Sequence, residues 1–246
     1  MLAGRGAAAK RSAGRLAPPE RLRYEETMSE LGVYEAMRTL RAVRRLRPDP
    51  VPAAVLRRVL EAATWAPTGG NVQPWRIVAV HDAGPKATLG TLYAQRWERY
   101  AAGHRRLLAD RGDAERARAE RMLRAGDYLA RHFGETPVVL VVCFNPEQMA
   151  ITDRALSRPS VVGGASVYPA VENLLLACRA EGLGCVLTTL LCECEDEVRA
   201  LLGIPAPWGT AAAIPVGYPV LRGHGPLLRR GVERLVFRDR WGAPLA

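Results

Sequence analysis

The segment Ala66-Pro67-Thr68-Gly69-Gly70-Asn71-Val72-Gln73-Pro74-Trp75 gathers more potential chemistry than any other stretch of the chain. It joins an amphipathic helix to an apolar strand. Its glycines let the backbone approach a flat or anionic ligand closely, because no Cβ intrudes. Thr68, Asn71 and Gln73 bring one hydroxyl and two amides, convergent groups of the kind that orient a ligand in an apolar cleft. The same composition also describes an ordinary polar helix-to-strand loop. Arginines bracket the segment, as Arg41-Ala42-Val43-Arg44-Arg45 before it and Arg229-Arg230 near the C-terminus. The rigid guanidinium fork suits phosphate oxygens. Arg41 and Arg44, spaced three apart, are expected on one helix face, and Arg45 and Arg47 read as solvated surface charges. The sequence holds no G-x-G-x-x-G, P-loop, G-x-S-x-G or H-E-x-x-H, and its four histidines are isolated. An enzyme with so little acid–base equipment needs a cofactor to carry the reaction.

The elements that position these residues follow from periodicity. Leu31, Tyr34, Met37, Leu40 and Val43 step by three, so residues 30–45 are expected to be helical up to the break at Pro48, Pro50 and Pro52. Pro52 suits the first turn of a second helix, with Val55, Val59, Ala62, Ala63 and Ala66 facing inward and Pro67 ending it. A strand is expected over 75–81. Two charged helices, over about 85–103 and 113–133, carry thin apolar stripes: Leu89, Leu92, Trp97 and Tyr100, then Met122, Leu123, Tyr128 and Leu129. Such helices lie on a surface, either as a mobile lid over about 85–133 or simply solvated. Residues 137–144 are apolar on both faces, as in a central buried strand. A helix with Val167, Val171, Leu174, Leu175 and Cys178 inward should end at Gly182 and pack in the core or at a subunit interface. Strands over 184–190 and 211–218, with a short helix over 196–202, complete a three-layer α/β or α+β arrangement.

At 246 residues and 48% apolar composition, the chain can build one full core. No run approaches the roughly 18 consecutive apolar residues of a membrane span, so no membrane partner is expected. The net charge of +10 is spread along the chain. It favours phosphates, but without zinc-finger spacing or a basic–aromatic stripe it implies no nucleic-acid partner. Five cysteines form an odd set with no disulfide framework, which suits a reducing cytoplasm. Cys192-Glu193-Cys194 lacks both C-x-x-C spacing and a second ligand pair, so no metal is expected there. Residues 1–27 are rich in Ala, Gly and Arg and are expected to be a disordered extension. They lack a secretory h-region; an Arg-rich transit peptide is one alternative, and a natural start at Met28, with the domain over 28–246, is the preferred one.

In order and spacing the motifs resemble the FMN-dependent nitroreductase family, including its iodotyrosine-dehalogenase-like branch. The residues that carry the resemblance are Arg41-x-x-Arg44 followed by Arg47-Pro48-Asp49, the Pro67–Trp75 loop, Ala170-Val171-Glu172-Asn173-Leu174-Leu175, Leu201-Leu202-Gly203-Ile204-Pro205, Ile214-Pro215-Val216-Gly217-Tyr218-Pro219, and Arg229-Arg230 with Asp239-Arg240-Trp241-Gly242. The resemblance implies an α+β, three-layer nitroreductase-like fold, with a central mixed sheet flanked by helices. It also implies an intertwined homodimer, with FMN in clefts at the interface and NAD(P)H as co-substrate. Carried over by position, Arg41, Ala42, Arg44 and Arg229 would hold the FMN phosphate and ribityl chain. Pro67, Thr68, Gly69 and Asn71 would line the flavin. Leu187-Thr188-Thr189 would approach flavin N5, with Thr189 as the catalytic donor. The implied reaction is hydride transfer from NAD(P)H to a small organic acceptor, nitroaromatic or quinone-like. A flavin carrier or sensor, a dehalogenase-like reductase and a nucleic-acid-binding relative of the fold are the alternatives. The chain departs from the family pattern in three places. Leu40-Arg41-Ala42 stands where Arg-Arg-Ser is usual, Thr68 where Ser is usual, and Leu190 where the dehalogenases have Pro. Their lid residues have no counterpart over 99–131.

Overall fold

The computed structural model describes residues 31–108 and 111–245. The N-terminal extension and the start at Met28 lie outside these residues. The elements run α1 (Val33–Thr39), α2 (Ala53–Thr64), β1 (Trp75–Val80), α3 (Ala83–Leu107), α4 (Asp113–His132), β2 (Val138–Phe144), α5 (Tyr168–Ala180), β3 (Gly184–Cys185), α6 (Glu195–Leu202) and β4 (Gly209–Gly217). The strands lie in the order β1-β2-β4-β3. The α+β class and the three layers are as expected. All three strand pairings are antiparallel, so among the described residues the sheet is antiparallel rather than mixed.

β2 and β4 occupy the centre, and burial of both faces explains the unbroken apolar run of β2 and the small or apolar character of β4, where Thr210 alone is polar. Side chains alternate along β2. Leu140 meets Leu56, Val59, Ala63, Leu174 and Cys178 from α2 and α5, and Val139 and Val141 meet Leu89, Tyr93, Trp97 and Leu123 from α3 and α4. The charged helices therefore form the second half of the core. Leu89, Tyr93, Trp97 and Ala101, the buried positions of α3 apart from Lys86, follow an i, i+4 step. Leu92 and Tyr100 fall at the rim of this stripe, not in it. Trp97 Nε1 donates to Asp127 Oδ1 at 2.8 Å, and Arg105 pairs with the same carboxylate at 2.7 Å. These contacts tie α4 to α3, and the turns at 113–118 lie exposed beyond them. No helix among the described residues is long and apolar enough to cross a membrane.

Two elements are shorter than periodicity implies, and both differences shape the site. α1 stops at Thr39, and Leu40 is already extended (φ −62°, ψ 124°). The chain then runs along the sheet. Val43 N donates to Cys185 O at 2.9 Å, Arg47 N to Tyr218 O at 2.8 Å, and Val220 N to Arg45 O at 3.0 Å. Buried Val43 and Leu46 keep the step of three, but as edge residues against β3 and β4. Arg41 and Arg44 therefore share no helix face. The second difference is β3, which is two residues long instead of covering 184–190. Cys185 pairs with Val216 and Thr188 bridges to Ala213, one continuous register that sets Pro215 opposite Val186. Ala213 and Thr188 exchange both backbone hydrogen bonds, at 2.8 and 3.0 Å. Two residues on, Pro215 has no N–H to give, so the ladder breaks there.

Candidate functional site

The loop before β1 is held in an unusual backbone. Gly70, Asn71 and Gln73 have φ of 58°, 54° and 49°, and a left-handed non-glycine residue costs on the order of 1 kcal/mol or more. Local hydrogen bonds maintain it. Thr68 Oγ1 accepts from Gln73 N at 3.1 Å, and Asn71 Oδ1 accepts from Gln73 Nε2 at 3.1 Å. Gly69 N donates to Ser166 Oγ at 3.2 Å. Gln73 thus braces the loop from within, while Pro67, Gly69 and Asn71 remain exposed. Ser166 was not a candidate from sequence, because nothing beside it in the chain marks it; only the tertiary contact with Gly69 does.

The arginines sit along the other edge of the sheet, beside β3. Arg44 is half-buried, and burial lowers its guanidinium pKa, with the nearby Tyr93 and Tyr100 phenols partly offsetting this. Burial in turn pushes the Tyr93 phenol up to about 12, against the pull of Arg44 and a hydrogen bond with Thr188. No carboxylate among the described residues pairs with Arg44, so its desolvation is left without a compensating charge. Tyr93 is absent from the expected α3 stripe, and its i, i+4 spacing from Leu89 is the signal that marks it. Arg41 is exposed, and its Nε donates to Gly223 O at 2.7 Å. Ala42 presents only a methyl group. Arg229 is exposed and bonds the adjacent Leu228 carbonyl at 3.1 Å; no described contact brings it to Arg41 or Arg44. Arg45 and Arg47 are not simple solvated charges. Arg45 lies 4.4 Å over the Tyr128 ring, and Arg47 stacks on Tyr218 at 5.3 Å while pairing with Asp49 at 3.3 Å.

Leu187, Thr188 and Thr189 leave β3 toward the end of the sheet where the β1 loop also lies. Thr188 is buried, and its Oγ1 accepts from Leu190 N at 3.3 Å. Thr189 is exposed, makes no side-chain cap bond to the turn that follows it, and faces a cavity of about 550 Å³. Thr210, Tyr168, Cys192, Phe144 and Ile151 are also part of that wall, and no charged side chain among the described residues lines it. Burial pushes the Cys192 thiol up, so it stays neutral.

His224 lies beyond β4, buried, with Nε2 2.8 Å from Leu183 O. Its pKa is lowered by burial, against the Leu183 bond, and further by the Arg179 and Arg41 charges. The folded protein thus binds this proton less tightly than the unfolded chain, so His224 withdraws stability as the pH falls below about 6.5. His224→Gln, which keeps a donor for Leu183, should lose less stability between about pH 7 and 5 than wild type. Parallel urea curves at the two pH values check this, and an identical pH dependence would rule it out.

These features define an α+β protein with an antiparallel sheet between helical layers, an unneutralised arginine at one sheet edge and a hydroxyl-and-amide loop at the other. The chain belongs to the nitroreductase family, whose family model matches residues 37–218. It is 32% identical over 214 residues to an NADH dehydrogenase of Thermus thermophilus, covering 87% of this chain and 98% of that protein. A 5,6-dimethylbenzimidazole synthase of Rhodobacter capsulatus is 30% identical over 210 residues, covering 85% and 93%. A solved structure of oxidized iodotyrosine deiodinase bound to FMN and 3-iodo-L-tyrosine superimposes with a TM-score of 0.63 at 26% identity, covering 85% of this chain and 99% of that one.

Proposed function

We propose that the chain is an FMN-dependent oxidoreductase that works as a homodimer, moving hydride from NAD(P)H by way of flavin N5 to a small organic acceptor. Arg44 carries the reading: a half-buried cation with no acidic partner among the described residues, on the edge that leads to the exposed hydroxyl of Thr189. The donor set fits FMN. Arg41 and Arg44 would hold the phosphate and ribityl end, Arg229 would join them, and Ala42 leaves that contact without a hydroxyl. Thr68, Gly69 and Asn71 would pack on the ring, and Leu187, Thr188 and Thr189 would approach its N5 edge. When bound, FMN supplies hydride acceptance and release, which no side chain of this protein can perform. The chain's own work is to bind, orient and exclude water.

The loop precedes edge strand β1, whereas Arg41 and Arg44 flank β3 at the opposite edge. A two-fold pairing that sets the loop of one copy against the arginine edge of the other completes the site. Exposed Tyr34 and Trp241, at 82% and 92%, with Val33, Met37 and Leu235, give such a pairing apolar surface to bury. Among the described residues the cavity beside Thr189 has no charged wall to meet the ammonium and carboxylate of an amino acid, which favours a neutral nitroaromatic or quinone-like acceptor. The unpaired cysteines suit the cytoplasm.

The visible spectrum of the purified protein, before and after anaerobic NADPH, tests the reading. Flavin bands that bleach are expected. Bands that persist refute NAD(P)H as donor, and a colourless protein that cannot take up FMN refutes the flavin assignment. Thr189→Val should keep FMN bound while making the flavin midpoint potential more negative by about 20 mV, the equivalent of one lost hydrogen bond of about 1 kcal/mol. A potential equal to wild type in spectroelectrochemistry removes Thr189 from the N5 role.

A further inference from the structure

The cavity of about 550 Å³ beside Thr189 is built from segment 149–168, the turn at 189–192 and the first residues of β4. Its volume lies within the range of small-molecule sites. Phe144, Ile151 and Val161 give it an apolar lining. Gly164 lets the Tyr168 ring lie against the backbone, where a Cβ would stand 2.7 Å from Tyr168 Cδ2.

Three hydroxyls belong to this lining, and each already gives its proton to the protein. Thr210 Oγ1 donates to Glu195 Oε2 at 3.1 Å, Ser160 Oγ to Asp153 Oδ1 at 2.6 Å and Tyr168 Oη to Ala211 O at 3.3 Å. The direction of each bond is fixed, because carboxylate and carbonyl oxygens carry no proton. Such a hydroxyl offers a ligand only its lone pairs, and one that turns away from the cavity offers nothing. Thr189 is the fourth hydroxyl, and the flavin reading assigns its proton to N5. The neutral Cys192 thiol is a weak donor. No Asn, Gln, His, Trp, Lys or Arg side chain among the described residues lines the cavity. The side-chain wall therefore accepts hydrogen bonds and donates almost none.

A nitro group or a quinone carbonyl is likewise only an acceptor. Against this wall it gives up its bonds to water and gains none from the side chains in return. A ring O–H or N–H does the opposite and pairs with an open lone pair. We propose that the acceptor this cavity selects is a neutral aromatic carrying its own hydroxyl or amine donor, a hydroxylated nitroaromatic or a hydroxyquinone, with Thr210, Tyr168 and Ser160 as the selecting residues. The inference rests on the flavin reading for the role of the cavity, while the selectivity belongs to the wall itself. Glu195 and Asp153 are positioning residues that hold the hydroxyl protons away from the ligand. Asp153 is 8% exposed and also takes Arg158 at 2.7 Å, which fixes its carboxylate.

The test compares 4-nitrophenol with 4-nitroanisole, the same ring with its donor capped by a methyl group, by isothermal titration calorimetry against the purified full chain. At a pH that keeps the phenol neutral, wild type should bind 4-nitrophenol about tenfold more tightly, as expected for one or two hydrogen bonds. Raising the pH until the phenol ionises should abolish the preference, because a phenolate has no proton to give and meets only lone pairs. Thr210→Val, Tyr168→Phe and Ser160→Ala, each shown to be folded by circular dichroism, should narrow the gap to about threefold. Equal affinities in wild type, a preference that survives ionisation, or one unchanged in all three variants overturns the proposal. Flavin bands that bleach with NADPH, in a wild type that shows no preference, leave the flavin reading standing and refute the donor-selective wall. A clear preference in a chain that takes up no FMN supports the wall and refutes the flavin reading instead.

Discussion

Arg44→Ala should lower FMN affinity about a hundredfold, the cost of removing one partner of a desolvated, hydrogen-bonded charge pair, about 3 kcal/mol. Stability of the flavin-free protein should be unchanged or raised. The sign follows from the burial that lowers the Arg44 pKa: without an anion, the guanidinium is desolvated for no return, and alanine removes that penalty. A residue that merely held β3 to α3 would show the reverse, a loss of stability with intact flavin binding. Arg41→Ala and Arg229→Ala should weaken FMN less, because both side chains are exposed and water screens them. Equilibrium titration by flavin fluorescence, with thermal melts of the flavin-free variants, separates these outcomes. Unchanged FMN affinity in Arg44→Ala and Arg41→Ala together sinks the phosphate assignment.

Gly126→Ala should destabilise the protein by about 3 kcal/mol, at the upper end of overpacking penalties, and lower its melting temperature by roughly 6–12 °C. The added Cβ would stand 2.1 Å from two ring atoms of Trp97, far inside van der Waals contact. The indole cannot swing away. It is 7% exposed, stacked 6.4 Å from Tyr93 and tied to Asp127 by Nε1. Alanine's better helix propensity, about 1 kcal/mol, offsets only part of this. A Trp97→Leu, Gly126→Ala double variant should recover part of the loss, because a narrower side chain leaves room for the methyl group. A single variant as stable as wild type would falsify the packing account. The effect also reaches the site, since Tyr93, one turn before Trp97, is the ring that flanks Arg44.

The fully apolar run at 138–143 was readable as a central strand because two-sided burial leaves no polar residue to confuse the pattern. Gly182, with φ of 71°, was readable as the end of α5 because only a residue without a Cβ takes that conformation cheaply. The Pro67–Trp75 loop announced itself by composition. Segment 40–47 misled, because an apolar step of three looks the same in a helix and in an irregular edge segment. What decides between them is a partner far away in sequence, Cys185 and Tyr218, whose backbone groups take up those of Val43 and Arg47.

By itself, the sequence determined the three-layer class, the order of its elements, the Pro/Gly/amide loop before β1 and the candidate arginines, since these rest on local periodicity, turn chemistry and residue type. Only the tertiary structure decided that α3 and α4 are core, that β3 stops against Pro215, that Thr188 turns inward while Thr189 does not, and that Arg44 is half-buried, with no carboxylate among the described residues paired to it, while Arg41 is exposed. It alone brought His224 to Arg41 and Arg179. Burial and charge neighbours are set by long-range packing, and no local pattern in the chain records which distant side chain will take a given hydrogen bond.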